Sequence, residues 1–385
     1  AGASIAPTTA DTVTLNAATG ADISGVTLTG VDLIALTAGQ TYTLTGSQAT
    51  ISKVGSGSTG SLTGVTATVK DLADSIVADN GSSLLSSITG SVNVSITDAP
   101  TLAQLKAINN ATSGTITLGV SSSTLSGSVS DLFDALAGIT GYAGNITVTD
   151  QPTLAQLVAI NTSVNGSITL NVSSTALSGS ASDMAAAFDG IANGYQGNLT
   201  ISGTQSGASG VTTVNTVAGA TTGKLIATLQ AASTDLSSLS SGSLDEVAIT
   251  VTDADSATVE ATALSTLGAK TSSTVTVSNA VVVSGTLAEA TAAFVTAGTA
   301  VVGSNAIVTL DDPSDTSISA SALNTLVAGV ASVKVSSGIV LTGSQSDVTA
   351  TLTDSDITFP SSDYDVSITG LFGVDASLVN MYNAI

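Results

Sequence analysis

Three groups of carboxylates are the residues of this chain best suited to chemistry: Asp253 with Asp255, Asp311 and Asp312 with Asp315, and Asp354 and Asp356 with Asp363. Hard oxygen ligands a few residues apart, joined by backbone carbonyls, are what a calcium ion takes. Asp253, Asp255, Asp311, Asp312 and Asp315 are therefore candidate calcium ligands. A local role competes with this one. Asp98, Asp150, Asp253, Asp311 and Asp354 each follow a strand-like segment, where a short carboxylate caps a turn or helix through its own backbone. Neither an EF-hand loop nor the Gly-Gly-x-Gly-x-Asp nonapeptide occurs, and nothing in the sequence requires a cofactor.

Other chemistry is removed by what the chain lacks. Its 385 residues contain no His, Cys or Trp, and its six cationic side chains are all lysine. A Ser-His-Asp or Cys-His nucleophile, a His/Cys zinc site and the usual haem or iron–sulfur ligands are excluded. Without arginine there is no bidentate phosphate clamp, and a net charge of -22 repels a nucleic-acid backbone. A glycosidase cleft lined by aromatic rings is a poor fit to 3% aromatic residues. Tyr142 with Tyr195, and Phe133 near Phe188 and Phe294, sit at repeat-related places, which predicts packing. The Leu-Ser-Gly-Ser segment resembles a nucleophile elbow only superficially, since no base is present to activate it. The expectation is a protein that is not an enzyme and does not bind nucleic acid.

The elements that position these residues come in repeats. Ile96-Thr-Asp-Ala-Pro-Thr-Leu-Ala-Gln-Leu-Lys-Ala-Ile-Asn109 returns 52 residues on as Val148-Thr-Asp-Gln-Pro-Thr-Leu-Ala-Gln-Leu-Val-Ala-Ile-Asn161. Gly114-Thr-Ile-Thr-Leu118 returns as Gly166-Ser-Ile-Thr-Leu170, and Leu125-Ser-Gly-Ser-Val-Ser-Asp131 as Leu177-Ser-Gly-Ser-Ala-Ser-Asp183. Weaker copies include Val283–Glu289, Leu341–Asp347 and, more decayed, Leu44–Thr50. Within one unit, alternation over 92–97 predicts a strand, the spacing of Leu102, Leu105 and Ile108 a helix, 115–118 a strand, and Leu132, Phe133, Leu136 and Ile139 a second helix. Capping boxes open the helices at Thr101/Gln104, Thr153/Gln156, Ser128/Asp131, Ser180/Asp183, Thr286/Glu289 and Ser344/Asp347, and Gly138 and Gly190 stop them.

Strands separated by short helices must be parallel. Two arrangements remain, separate doubly wound domains or an α/β solenoid of coils of about 26 residues, with parallel strands on one wall and short helices or turns on the other. The period favours the solenoid, a rod roughly 50–70 Å long at ~4.8 Å per strand. The expected organisation is irregular β coils over 1–60, regular β-α-β-α repeats over 61–203, divergent repeats over 204–370 and an apolar tail over 371–385, with softer joints at 55–60 and 204–210. No apolar run approaches the ~18 residues of a membrane span.

The repeated Thr-Asp-x-Pro-Thr-Leu-Ala-Gln-Leu-x-Ala-Ile-Asn segment, followed by Gly-[Thr/Ser]-Ile-Thr-Leu, resembles repeats in large secreted surface proteins of cyanobacteria and other aquatic bacteria, a group that includes S-layer-like and type I-secreted proteins. The resemblance is clearest over 92–200. It implies an extracellular structural or adhesive role, often with calcium-dependent assembly, and carries over no catalytic residue. The absence of cysteine and the start at Ala1 fit secretion with a removed signal peptide. A solenoid without polar caps exposes strand edges, and the segment bearing Leu371, Phe372, Leu378, Val379, Met381, Tyr382 and Ile385 is apolar. Such a tail either folds back as a cap or docks on the next copy. The functional expectation is an extracellular protein that self-assembles head-to-tail into a filament or surface layer; the alternative is an adhesin that binds cell-surface polysaccharide.

Overall fold

The structure is a computed structural model that describes residues 14–77, 91–191, 194–296 and 301–369. Its helices are α1 (Gly46–Thr50), α2 (Ala73–Val77), α3 (Leu102–Ala111), α4 (Val129–Leu136), α5 (Leu154–Ser163), α6 (Ala181–Phe188), α7 (Gly207–Ala220), α8 (Ser233–Leu236), α9 (Ala261–Gly268), α10 (Leu287–Phe294), α11 (Ala320–Val327) and α12 (Gln345–Thr353). The chain is a mixed α/β protein. Among the described residues every strand pairing is parallel.

The described residues form two compact units, one reaching to Thr175 and including Ser182–Gln196, the other made of Ala176–Ala181 and the chain from Gly197 onward. The first holds a three-stranded sheet (Thr14–Asn16, Leu33–Leu36, Ser52–Val54), a four-stranded sheet (Thr41–Leu44, Thr66–Asp71, Asn93–Ile96, Ile116–Leu118) and a three-stranded sheet (Leu125–Gly127, Ile146–Val148, Ile168–Leu170). The second holds a 10-stranded sheet and a three-stranded one (Ser317–Ser319, Ile339–Gly343, Tyr364–Ile368). The large sheet is continuous because Val301–Leu310 spans two ladders, pairing Val275–Thr276 through its first residues and Val282–Gly285 through its last.

Sequence periodicity explains the layering. Strands bury alternate residues, Val94 and Ile96, Ile146 and Val148, Val247, Ile249 and Val251, and the helices answer with Leu105 and Ile108, Leu132 and Leu136, Leu264 and Leu267, Leu323 and Leu326. Each fully buried side chain of this kind stabilises the fold by about 1.5–3 kcal/mol. Helices of two or three turns are marginal alone. Here they stack in chain order, α1 on α2, α2 on α3, α3 on α4 and α4 on α5 in the first unit, and α7 through α12 likewise in the second.

Several local expectations hold. The strands at 92–97 and 115–118 and the helices between and after them are present, and Gly138 and Gly190 follow α4 and α6 at φ 74. Thr45 and Gln48 form a complete capping box, so the decayed copy at 44–50 keeps its helix start. Three expectations need correction. Gln and Glu close the box at Thr101, Thr153 and Thr286, but in Ser128/Asp131 and Ser344/Asp347 the shorter carboxylate accepts from the Ser hydroxyl instead. Phe188 and Phe294 are buried, whereas Phe133 is 47% exposed: Leu136, not Phe133, is the helical equivalent of Phe188. Residues 204–210, expected to be irregular, form regular structure: the strand Leu199–Ser206 runs directly into α7, and its pairing shifts register between Thr200 and Thr204.

The glycine that opens the Gly-[Thr/Ser]-Ile-Thr-Leu strand is required by close approach. A Cβ on Gly114 would strike the Val92 carbonyl, and one on Gly166 the Gly144 carbonyl, in each case backbone of the neighbouring strand segment. Gly114→Ala and Gly166→Ala should each destabilise the protein by about 1–3 kcal/mol, read as a lower denaturant midpoint at unchanged slope.

Candidate functional site

The strand-following aspartates converge on one repeated geometry. Leu44 pairs with Val69, Asp71 with Ile96, Gly127 with Val148, Ala231 with Val251 and Gly285 with Leu310. Two residues past each pair, the first residue of a helix faces an aspartate that follows, or ends, the neighbouring parallel strand. Asp71 accepts the Gly46 N–H of α1 at 2.9 Å, Asp98 the Ala73 N–H of α2 at 2.7 Å and Asp150 the Val129 N–H of α4 at 2.7 Å. Asp253 accepts both the N–H (2.7 Å) and the hydroxyl (2.9 Å) of Ser233 in α8, and the buried Asp312 accepts the Leu287 N–H of α10 at 2.9 Å. A carboxylate here satisfies an orphan donor and meets the positive end of the helix dipole.

This corrects the local expectation in two ways. These aspartates cap the preceding helix of the parallel-strand stack, 20 to 25 residues back, rather than their own backbone. Their own helices begin later, after a proline in the case of Asp98 and Asp150, and take their caps from Thr101 and Thr153. In the second cluster the rung belongs to Asp312, because register places it, and not Asp311, opposite Leu287. Asp354 alone of the five behaves as expected, accepting from the Asp356 N–H at 2.9 Å.

The candidate calcium ligands are thus placed as follows. Asp253 and Asp312 are committed to helix N-termini, Asp255 accepts the Ala280 N–H at 2.9 Å, Asp311 is exposed with the Ser284 hydroxyl at 3.4 Å, and Asp315 is exposed in a left-handed conformation, φ 64. Among the described residues no three acidic side chains come together in a way that could hold one ion. The assembly residues Leu371, Phe372, Leu378, Val379, Met381, Tyr382 and Ile385 lie outside the described residues.

Asparagine supplies a second set of rungs that the residue-by-residue reading missed. Asn109 and Asn161, which end the Leu-Ala-Gln-Leu-x-Ala-Ile-Asn segment, donate to the carbonyls of Asp134 and Ala186 in the next helix. Asn93, Asn145 and Asn198, just before or at strand starts, accept the N–H of Thr115, Ser167 and Lys224 one coil on. Their recurrence at matched places was the available signal. The repeat-related Tyr142 and Tyr195 are buried and donate to the Ser123 and Thr175 carbonyls, both at 2.6 Å; burial pushes both phenols up.

The glycine of Leu-Ser-Gly-Ser has a packing role. A Cβ at Gly127 would meet the Leu102 side chain, at Gly285 the Ala261 Cβ at 2.9 Å, and at Gly343 the Ala320 Cβ at 3.1 Å, each the first residue of the preceding helix. α3, α9 and α11 are thus met by a glycine, where α1, α2, α4, α8 and α10 are capped by an aspartate. The serine beside that glycine caps a helix in α4 and α12.

A shallow groove of about 580 Å³ lies between α3 and α4, lined by Lys106, Asn110, Ser126 and Asp131 among others, with no aromatic ring. Lys106 bridges Asp131 at 2.6 Å and Asp134 at 3.0 Å. Its ammonium, with the Ser128 hydroxyl, holds the Asp131 carboxyl below its ordinary value. A depressed carboxylate contributes stability above its unfolded pKa that is lost as pH falls through the folded one. The pair is exposed, so this contribution is small.

Asp98→Ala, Asp150→Ala and Asp253→Ala should each cost about 1–2 kcal/mol, with Asn at the same positions recovering part of it because the acceptor survives and the charge does not. Faster amide exchange at Ala73, Val129 and Ser233 respectively is the site-specific readout. Thermal midpoints in chelator and in millimolar calcium should coincide, since Asp253 and Asp312 already hold backbone donors; a calcium-dependent rise would place an ion among these carboxylates.

Comparison with protein-family models, with curated proteins and with solved structures finds no match to this chain.

Proposed function

We propose that the coils stack as a solenoid and that the protein is an extracellular structural subunit that assembles head-to-tail with copies of itself into a filament or surface layer. The observation that carries this reading is the uniformly parallel pairing, in which each coil is the template for the next. The strands Thr14–Asn16 and Tyr364–Ile368 each stand at the end of a sheet. Such an edge is completed by another parallel strand, and a contact between unlike ends does not close on itself. The apolar segment 371–385 follows the second of these strands and is the proposed contact. The aspartate and asparagine side chains described above serve coil-to-coil bonding, which suits a structural role. Among the described residues no helix is long and apolar enough to cross a membrane.

The net charge of -22 opposes assembly at low ionic strength. At ~1 M salt the Debye length falls to about 3 Å and that opposition fades. Purified protein should therefore sediment as polymers in strong saline and as small species in dilute buffer, and a chain ending at Gly370 should stay monomeric in both. Full-length protein that remains monomeric at high concentration in strong saline, with and without calcium, sinks the proposal. An adhesin would instead show saturable binding on a glycan array, for which the groove beside Lys106 offers polar groups but no ring on which a sugar could stack.

A further inference from the structure

We propose that this chain can lose or gain the 52-residue pair of coils Asp98–Thr149 as a unit without loss of its fold, because the two faces of that pair are interchangeable. This stands apart from the assembly reading. The pair from Asp98 to Thr149 begins with an aspartate that caps α2 through Ala73 and continues with Asn109 reaching the Asp134 carbonyl. It ends where Asp150 caps α4 through Val129 and Asn161 reaches the Ala186 carbonyl. The incoming and outgoing faces therefore carry the same groups. Ile96-Thr97-Asp98 and Val148-Thr149-Asp150 are the matching junctions. Strand pairing is equivalent too: Asn93–Ile96 lies between Thr66–Asp71 and Ile116–Leu118, as Ile146–Val148 lies between Leu125–Gly127 and Ile168–Leu170.

A single coil is not interchangeable in this way. From α2 to α4 and from α8 to α11 helix starts alternate between those capped by aspartate, α2, α4, α8 and α10, and those met by glycine, α3, α9 and α11, whereas α1 and α2 in succession are both capped by aspartate. Repeating one coil sets an aspartate loop against the Leu102 side chain, where only glycine leaves room.

The test uses three full-length variants. One lacks residues 98–149, so that Thr97 is joined to Asp150. One carries that segment twice. One carries residues 98–123 twice, adding half a pair. The first two should melt cooperatively, with midpoints within about 4 °C of the parent, the shift of one mild substitution. In the shortened chain Asp150→Ala should accelerate exchange of the Ala73 amide, as Asp98→Ala does in the parent. The half-pair chain should lose cooperative melting in the first unit. Loss of cooperative melting in either whole-pair variant overturns the proposal, and so does a half-pair chain as stable as the parent.

Discussion

The bond between an aspartate and the first amide of a helix 20 to 25 residues earlier is the constraint on which the rest of the architecture depends. A short helix cannot hold its own first turn together, and its free N–H groups would otherwise face the gap between coils. The carboxylate closes that gap with a charge-assisted bond and, by its reach, ties strand register to helix start. Register in a parallel ladder is otherwise set only by which face is buried. Here a one-residue slip would also move Asp98 away from Ala73 and Asp150 away from Val129.

The same constraint explains why the repeat spans two coils. A loop bearing the capping aspartate needs room before its own helix can begin, and Pro100 and Pro152 mark that delay. The helix that results starts with leucine, Leu102 or Leu154. Leu102 is met on the next coil by Gly127, whose missing side chain is filled by the leucine itself. Aspartate and glycine alternate in this way from α2 to α4 and from α8 to α11. The asparagines at 109 and 161 repeat the principle at the opposite ends of the helices.

How much was legible follows from how local each signal is. Helix starts at Thr101, Thr153 and Thr286 were readable because a capping box is closed within four residues. The burial of Tyr142 and Tyr195 was readable because identical placement in two copies implies identical surroundings. Phe133 misled because shared residue type does not fix helical position: it stands three residues before Leu136, the equivalent of Phe188, and one residue after the buried Leu132, about 100° round the helix from it. The aspartates misled because clustering along the chain suggested a shared ion, whereas Asp253 and Asp312 each look outward to a neighbouring coil.

Composition and periodicity by themselves determined that the strands are parallel, that the helices are short and begin at defined caps, and that no histidine-, cysteine- or arginine-based chemistry exists here. Only the tertiary structure decided which amide each carboxylate serves, why Gly114 and Gly127 have no side chain, and where the chain divides into two units. The physical reason is distance along the chain: a cap within one turn is written in adjacent letters, while a bond to a group 25 residues away exists only after neighbouring strands have chosen their register.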